Sequence, residues 1–288
     1  MDDFTGRVAV VTGAASGIGR ALAVRFGRLG MHVVIADVDE AGLTETAAEV
    51  AGEGAQVLPV PTDVCEAAAV QALADRTLDR FGAVHVVCNN AGVFSSGTAW
   101  EAPLEDYEWL LGVNLWGVVH GIRAFVPLLL AQEDGGHVVN TASMAGLVSL
   151  PYASIYTMTK HAVLALSESL YHELALAGGR VGVSVLCPEA VATGIADAAR
   201  ARPPRWQPRD VPRSAAAEAT DQALREATTA GVDPAVMAER VERAIRERRF
   251  YILSEDDWRR CCATRLEDIR LGRNPTFAVP EAALKERS

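Results

Sequence analysis

Paired cysteines are missing from this chain. Cys65, Cys88, Cys187, Cys261 and Cys262 are odd in number and scattered, with no CxxC spacing and no paired histidines beside them. That excludes a disulfide framework and a zinc site as the organising feature. Positive charge is scarce as well. Lysines and arginines number 27 against 37 aspartates and glutamates, a formal charge of -10, and nucleic-acid affinity rests on clustered cations that release counterions. Long apolar runs are also lacking. The longest, residues 118–130, carries His120 and Arg123 and falls short of the roughly 20 residues a membrane span needs. Met1-Asp2-Asp3 has none of the basic start of a secretory signal. These gaps lead to the expectation of a soluble, cytoplasmic protein with reduced thiols, no metal, and neither nucleic acid nor a membrane as partner.

What is present is a rhythm. Short β-branched runs at residues 8–11, 33–35, 57–60, 84–88, 137–140, 181–186 and 250–253 alternate with longer amphipathic stretches. Such alternation argues for βαβ units and a parallel sheet covered on both faces. Leu22, Phe26 and Leu29 share one helical face, and Val70, Leu73, Ala74, Thr77, Leu78 and Phe81 share another. Half of the 288 residues are apolar, enough for a substantial core in a single α/β domain. Residues 193–232 break the rhythm with Pro203, Pro204, Pro208 and Pro212 around a single Trp206, and read as a long excursion. Asp233-Pro234 resumes it as a helix start with Met237, Val241, Ala244 and Ile245 buried. The extension at 254–288 carries no assignable role.

The first strand runs into Thr12-Gly13-Ala14-Ala15-Ser16-Gly17-Ile18-Gly19, followed by a helical stretch. Glycines there permit a tight turn, close approach to a pyrophosphate, and close packing of helix on strand. The helix N-terminus adds free N–H groups for the phosphates. A plain tight turn is the alternative. The second strand ends at Asp37, whose carboxylate can accept both hydroxyls of an adenosine ribose and would repel a 2'-phosphate, favouring NAD over NADP. An ordinary strand-end or capping aspartate is the alternative for that position.

Tyr156 and Lys160 stand four residues apart in a helical stretch, so their side chains rise from one face. An adjacent ammonium and an oxidised nicotinamide both favour phenolate, and activity near neutrality asks that they lower the phenol pKa by about two to three. His120, His137, His161 and His172 show no comparable arrangement and read as structural or solvent-facing.

The spacing Gly13-xxx-Gly17-x-Gly19, together with Asn89-Asn90-Ala91-Gly92, Asn114, Ser143, Tyr156 and Lys160, resembles the short-chain dehydrogenase/reductase family over residues 7–193. The resemblance implies a Rossmann-like, doubly wound α/β fold: one domain over residues 1–288 with a parallel sheet of about seven strands. It implies NAD(H) held by Gly13, Ser16, Gly17, Ile18, Gly19 and Asp37, with Asp63 and Val64 at the adenine and Asn90, Ala91 and Gly92 beside the cofactor or bracing the sheet. Lys160 would reach the nicotinamide ribose, and Pro188 and Thr193 the carboxamide end. It also implies catalysis by Asn114, Ser143, Tyr156 and Lys160: Tyr156 exchanges the proton of a small-molecule alcohol or ketone, Ser143 holds the same oxygen, and Asn114, early in its helix, holds a water on the proton path. A homo-oligomer, dimer or tetramer, follows from the same resemblance.

Leu147, Val148, Leu150, Pro151 and Tyr152 would line an apolar substrate side, and residues 193–232 would form a lid over it, with Trp206 near the middle. One position departs from the family pattern: Pro188 is followed by Glu189, where a glycine is usual. Either the backbone tolerates a side chain there or Glu189 is recruited to substrate or lid. A non-catalytic dinucleotide sensor or scaffold remains the competing function, since a fold does not dictate chemistry.

Overall fold

The computed structural model describes residues 1, 3–207, 213–253 and 256–278. Pro208 and Pro212 of the excursion, and the last ten residues of the extension, lie outside the described residues. Seven parallel strands form one sheet in the order β3-β2-β1-β4-β5-β6-β7. They are β1 (Val8–Thr12), β2 (His32–Asp37), β3 (Val57–Pro61), β4 (Val86–Asn89), β5 (Gly136–Thr141), β6 (Val181–Cys187) and β7 (Tyr251–Leu253). The order reverses between β1 and β4, the switch point at which doubly wound sheets open a crevice beyond their carboxyl ends.

Alternation along each strand divides the core. Ala9, Val11, Val33 and Ile35 face one way and pack against Leu22 and Phe26 of α1 (Gly17–Arg28) and Met237, Val241 and Ile245 of α8 (Pro234–Glu247). Val8, Val10 and Val34 face the other way, onto Leu73 of α3 (Ala67–Phe81), Phe125 and Leu129 of α5 (Gly117–Ala131) and Leu170 of α6 (Ser154–Leu176). Burial on both faces is why these strands read as near-continuous apolar runs.

The longest helical path, Leu104–Ala131, joins α4 (Leu104–Leu110), a π-helical turn Leu111–Trp116 and α5. By length and composition it could cross a bilayer. Its apolar side chains Val118, Phe125 and Leu129 are instead buried against the sheet. Asn114, expected early in a helix, sits in the π turn midway along this path. After β6 come a 3-10 stretch Gly194–Ala201, a short turn Pro204–Trp206 and α7 (Ala215–Thr229). The extension supplies α9 (Asp256–Leu271), whose Trp258 packs on the cluster of Met144, Leu164 and Cys187. The remaining helix, α2 (Glu40–Gly52), packs beside α1.

Candidate active site

A cleft of about 530 Å³ runs along the carboxyl ends of the strands. Its floor begins at the glycine loop. Gly13 and Gly17 take left-handed φ values of 67° and 55°. A β-carbon on Gly13 would lie 2.7 Å from Ala91 Cα, one on Gly17 would lie 2.8 Å from Thr193 Cγ2, and one on Gly19 would lie 2.0 Å from Gly13 O. The loop is therefore pressed onto the segments after β4 and β6. Ser16 stands at the N-cap of α1 without a side-chain cap, and the first turn holds no acidic residue. Its backbone N–H groups face the cleft uncompensated, the arrangement that suits an anion.

Asp37 lies at the outer end of the cleft, its Oδ2 accepting from Ala15 N at 3.0 Å and its Oδ1 from Asp39 N at 3.1 Å. Further along, Asp63 accepts from Cys65 N at 3.0 Å, and His120 Nδ1 meets Val64 O at 2.9 Å. Asn90 serves the sheet: its backbone N–H donates to Thr12 Oγ1 at 2.9 Å, its amide donates to Thr12 O at 3.1 Å, and Thr141 Oγ1 donates to it at 3.2 Å. Ala91 and Gly92 line the cleft. Gly13, Ser16, Gly17, Ile18, Asp37, Asp63, Val64, Asn90, Ala91, Gly92, Tyr156, Lys160, Pro188 and Thr193 share one elongated cleft, with Gly19 beneath it.

At the inner end, Ser143 caps a 3-10 turn (Met144–Gly146) through Ala145 N at 3.1 Å. Ser143 stands beside the Tyr156 hydroxyl and favours its ionised form. Lys160 is 2% exposed, and its Nζ donates to Thr141 O at 2.9 Å and stands 5.6 Å from the Tyr156 ring centre. Burial holds this amine down at about 8. The expected lowering of the phenol is not what the protein alone produces. Burial pushes Tyr156 up to about 12, and the neighbouring Ser143 offsets part of that rise. Asn114 is fully buried. Its Oδ1 accepts from Val93 N at 2.8 Å, and its Nδ2 donates to Val93 O at 3.0 Å and to Thr159 Oγ1 at 3.2 Å. The amide group thus brackets the chain after β4 against α6.

Glu189 has a negative φ, since Tyr152 and Arg248 are the non-glycine residues with positive values among those described. Its carboxylate reaches Arg240 of α8 at 3.2 Å. The backbone therefore accommodates a side chain at this position, and the charge is tied to the neighbouring helix.

Arg200, Ala201 and Pro203 of the excursion line the cleft. Arg202 forms a buried ion pair with Asp106 at 2.6 Å and lies 4.8 Å over the Trp109 ring. Arg205 reaches Asp63 at 3.1 Å and Glu66 at 2.9 Å. Trp206 packs against Gly112 beside Cys65. The segment is thus a strap crossing from Thr193 to the loop after β3, and Trp206 also packs on the cluster of Val93, Trp109 and Ala198 beside Tyr156. The apolar wall near Tyr156 is built by Val93, Trp109, Val113 and Ala198, not by residues 147–152. There, Val148 is buried on the turn, and Tyr152, at φ 59°, delivers its carbonyl to Gly97 N at 2.8 Å.

The family model for short chain dehydrogenases matches residues 7–204. The chain belongs to that family. A short-chain dehydrogenase/reductase from Burkholderia phymatum, solved in complex with NAD, superposes with a TM-score of 0.94 at 48% identity, covering 97% of this chain and 99% of that one. The 1-deoxy-11-beta-hydroxypentalenate dehydrogenase of Streptomyces exfoliatus is 40% identical over 91% of this chain and 88% of its own length. The apo form of LigO from Sphingobium sp. strain SYK-6 gives a TM-score of 0.78 at 31% identity, over 94% and 90% of the two chains. As a short-chain dehydrogenase the protein is an oxidoreductase on the seven-stranded fold described above.

Several lining residues of this short-chain dehydrogenase were missed in the sequence. Val93, Trp109, Val113, Arg200 and Ala201 line the cleft but were not singled out there. The aromatic Trp109 ahead of Asn114, on the helical path that carries it, was the one available signal.

Proposed function

We propose that this chain is an NAD-dependent dehydrogenase of a secondary alcohol, or reductase of the matching ketone, with Tyr156 as its general acid and base. The observation that carries the reading is the convergence of Ser143, Tyr156 and Lys160 at the inner end of a cleft whose outer end holds Asp37. The glycine loop with its uncapped helix fits a dinucleotide. Gly13, Ser16, Gly17, Ile18 and Gly19 would hold its phosphates, Asp37 the adenosine ribose, Asp63 and Val64 the adenine, residues 90–92 and Lys160 the second ribose, and Pro188 and Thr193 the carboxamide. When bound, an oxidised nicotinamide supplies a hydride acceptor and a positive charge.

Ser143 and Tyr156 hold the substrate oxygen by two hydrogen bonds. In oxidation the substrate hydroxyl proton passes to Tyr156 Oη, and in reduction Tyr156 returns it to the forming alkoxide. With burial holding the phenol near 12, the neutral form rests ready to donate. Release of that proton draws on nearby positive charge, including Lys160, an ammonium at neutral pH with a pKa of about 8. Asn114 holds the chain after β4 in place and positions the proton path. The wall of Val93, Trp109, Val113 and Ala198 suits an apolar or cyclic substrate. The name of the Streptomyces relative, a dehydrogenase of a hydroxylated compound, supports the alcohol class. The Asp37 carboxylate and the NAD complex of the Burkholderia neighbour support NAD over NADP. The same reading makes the chain a single-domain, cytoplasmic homo-oligomer, for which the exposed Trp116, Met158 and Tyr171 on the long helices offer apolar contact.

The test is NADH absorbance during incubation with NAD and a panel of acyclic and cyclic secondary alcohols. Tyr156→Phe is expected to lower turnover by about 10² to 10⁴ while NAD binding, read by fluorescence, persists. A wild-type protein that binds NAD and oxidises nothing on the panel would favour the sensor or scaffold reading.

A further inference from the structure

The strap carries a cation into the cleft. Arg200 lines it, and its guanidinium is held by two backbone carbonyls, Nη1 donating to Gly194 O at 2.8 Å and to Asp197 O at 3.1 Å. A β-carbon on Gly194 would lie 3.0 Å from Arg200 Nη1. Gly194 follows Thr193, whose methyl group lies against Gly17 at the start of α1. The guanidinium is therefore folded back towards the end of the cleft where the uncapped N–H groups of α1 are presented.

Charge bookkeeping around the cleft singles this group out. Asp37, Asp39 and Asp63 line it, against Lys160 and Arg200 as cations. Lys160 is buried at the far end on the Thr141 carbonyl. Of the neighbouring arginines outside the lining, Arg205 is engaged by Asp63 and Glu66, and Arg20 by Glu45 and Glu49. Arg200 meets only neutral carbonyls, which orient its fork without neutralising it. A planar guanidinium with donors to spare recognises phosphate oxygens two at a time. Ion pairs fix the strap just beyond it, Arg202 to Asp106 and Arg205 to Asp63, so little ordering is left for binding to impose.

We propose that Arg200 binds the diphosphate of the dinucleotide, so that the strap itself is part of the cofactor site. This rests on the dinucleotide reading above and adds a ligand that the glycine motif does not contain.

Titration calorimetry of the full chain with NAD, ADP-ribose and adenosine tests it. Arg200→Gln is expected to weaken NAD and ADP-ribose by about tenfold, to leave adenosine within about twofold, and to flatten the dependence of NAD affinity on salt. Arg200→Lys, which keeps the charge and loses the fork, is expected to fall between. Unchanged ADP-ribose affinity in Arg200→Gln overturns the proposal and leaves a substrate carboxylate as the anion to seek. An equal loss for adenosine also overturns it, because the residue would then act only by holding the strap's shape. A wild-type protein that binds neither NAD nor ADP-ribose refutes the dinucleotide reading itself, a result distinct from the other two.

Discussion

The substitution Lys160→Met is predicted to stabilise the cofactor-free protein while ending its turnover. In the unfolded chain the amine holds its proton up to about 10.5, and in the folded protein only up to about 8, because burial disfavours the charge. At about 1.4 kcal/mol per tenfold, that difference corresponds to about 3 kcal/mol. The sign follows from proton counting. Between pH 8 and 10.5 the unfolded state binds more protons, so stability falls as pH falls through this window, and below about 8 the full cost is present. A methionine in this place would carry no such cost, but it would abandon the Thr141 carbonyl that Lys160 satisfies, a loss of about 1 to 2 kcal/mol. The variant should therefore be about 1 to 2 kcal/mol more stable than wild type at pH 7, read as a higher urea midpoint. The advantage should shrink by up to about 1.4 kcal/mol per pH unit above 8 and reverse between about pH 9 and 10. Tyr156 and Cys187, each pushed up to about 12 by burial, weaken both proteins on the alkaline side and largely cancel in the difference. A stability difference that stays constant from pH 7 to 10 would show that the amine is not buried as a suppressed charge, and the argument would fail.

Three further outcomes are expected. Gly19→Ala drives a β-carbon to 2.0 Å from a backbone oxygen and should cost about 3 kcal/mol or more in urea unfolding; a loss under about 1 kcal/mol would mean the loop can yield. Asp106→Asn leaves Arg202 buried without its counter-charge, a penalty of about 3 to 5 kcal/mol borne by the strap, so trypsin should cut at Arg200 or Arg205 much faster. Unaltered cleavage would mean the pair does not anchor it. Asp37→Ser removes a carboxylate from the ribose end, and the NADP to NAD ratio of kcat/KM should rise about tenfold, a change of about 1.4 kcal/mol; an unmoved ratio would take cofactor choice away from Asp37.

The sheet was legible because burial on both faces leaves a near-continuous apolar signature in Val8 to Val11 or Val181 to Leu186, which needs no tertiary knowledge to recognise. Asn114 was legible as a residue but not as a bracket, because the π turn that aims its amide at Val93 leaves no mark in a one-dimensional pattern. The lining of the cleft was hidden for a related reason. Apolar residues at 147–152 announce burial, but they do not say against what, and the left-handed Tyr152 turns that loop towards Gly97. The tyrosine was found by its spacing to Lys160, whereas its pKa depended on desolvation, a property of the assembled site. Arg200 and Arg202 were indistinguishable in the sequence, two arginines in an alanine- and proline-rich excursion. Only packing separates the one buried on Asp106 from the one left to face the cleft.

The glycine loop bears on how such proteins are recognised at all. Gly13, Gly17 and Gly19 are each pressed against protein atoms, Ala91, Thr193 and Gly13 itself, before any ligand is considered. A chain of this architecture that had lost its chemistry would still be held to all three, because its first helix could not otherwise dock. The motif is thus a certificate of assembly, and carries little information about turnover. The residues that bear witness to activity are those the fold could spare, with the Tyr156 hydroxyl first among them.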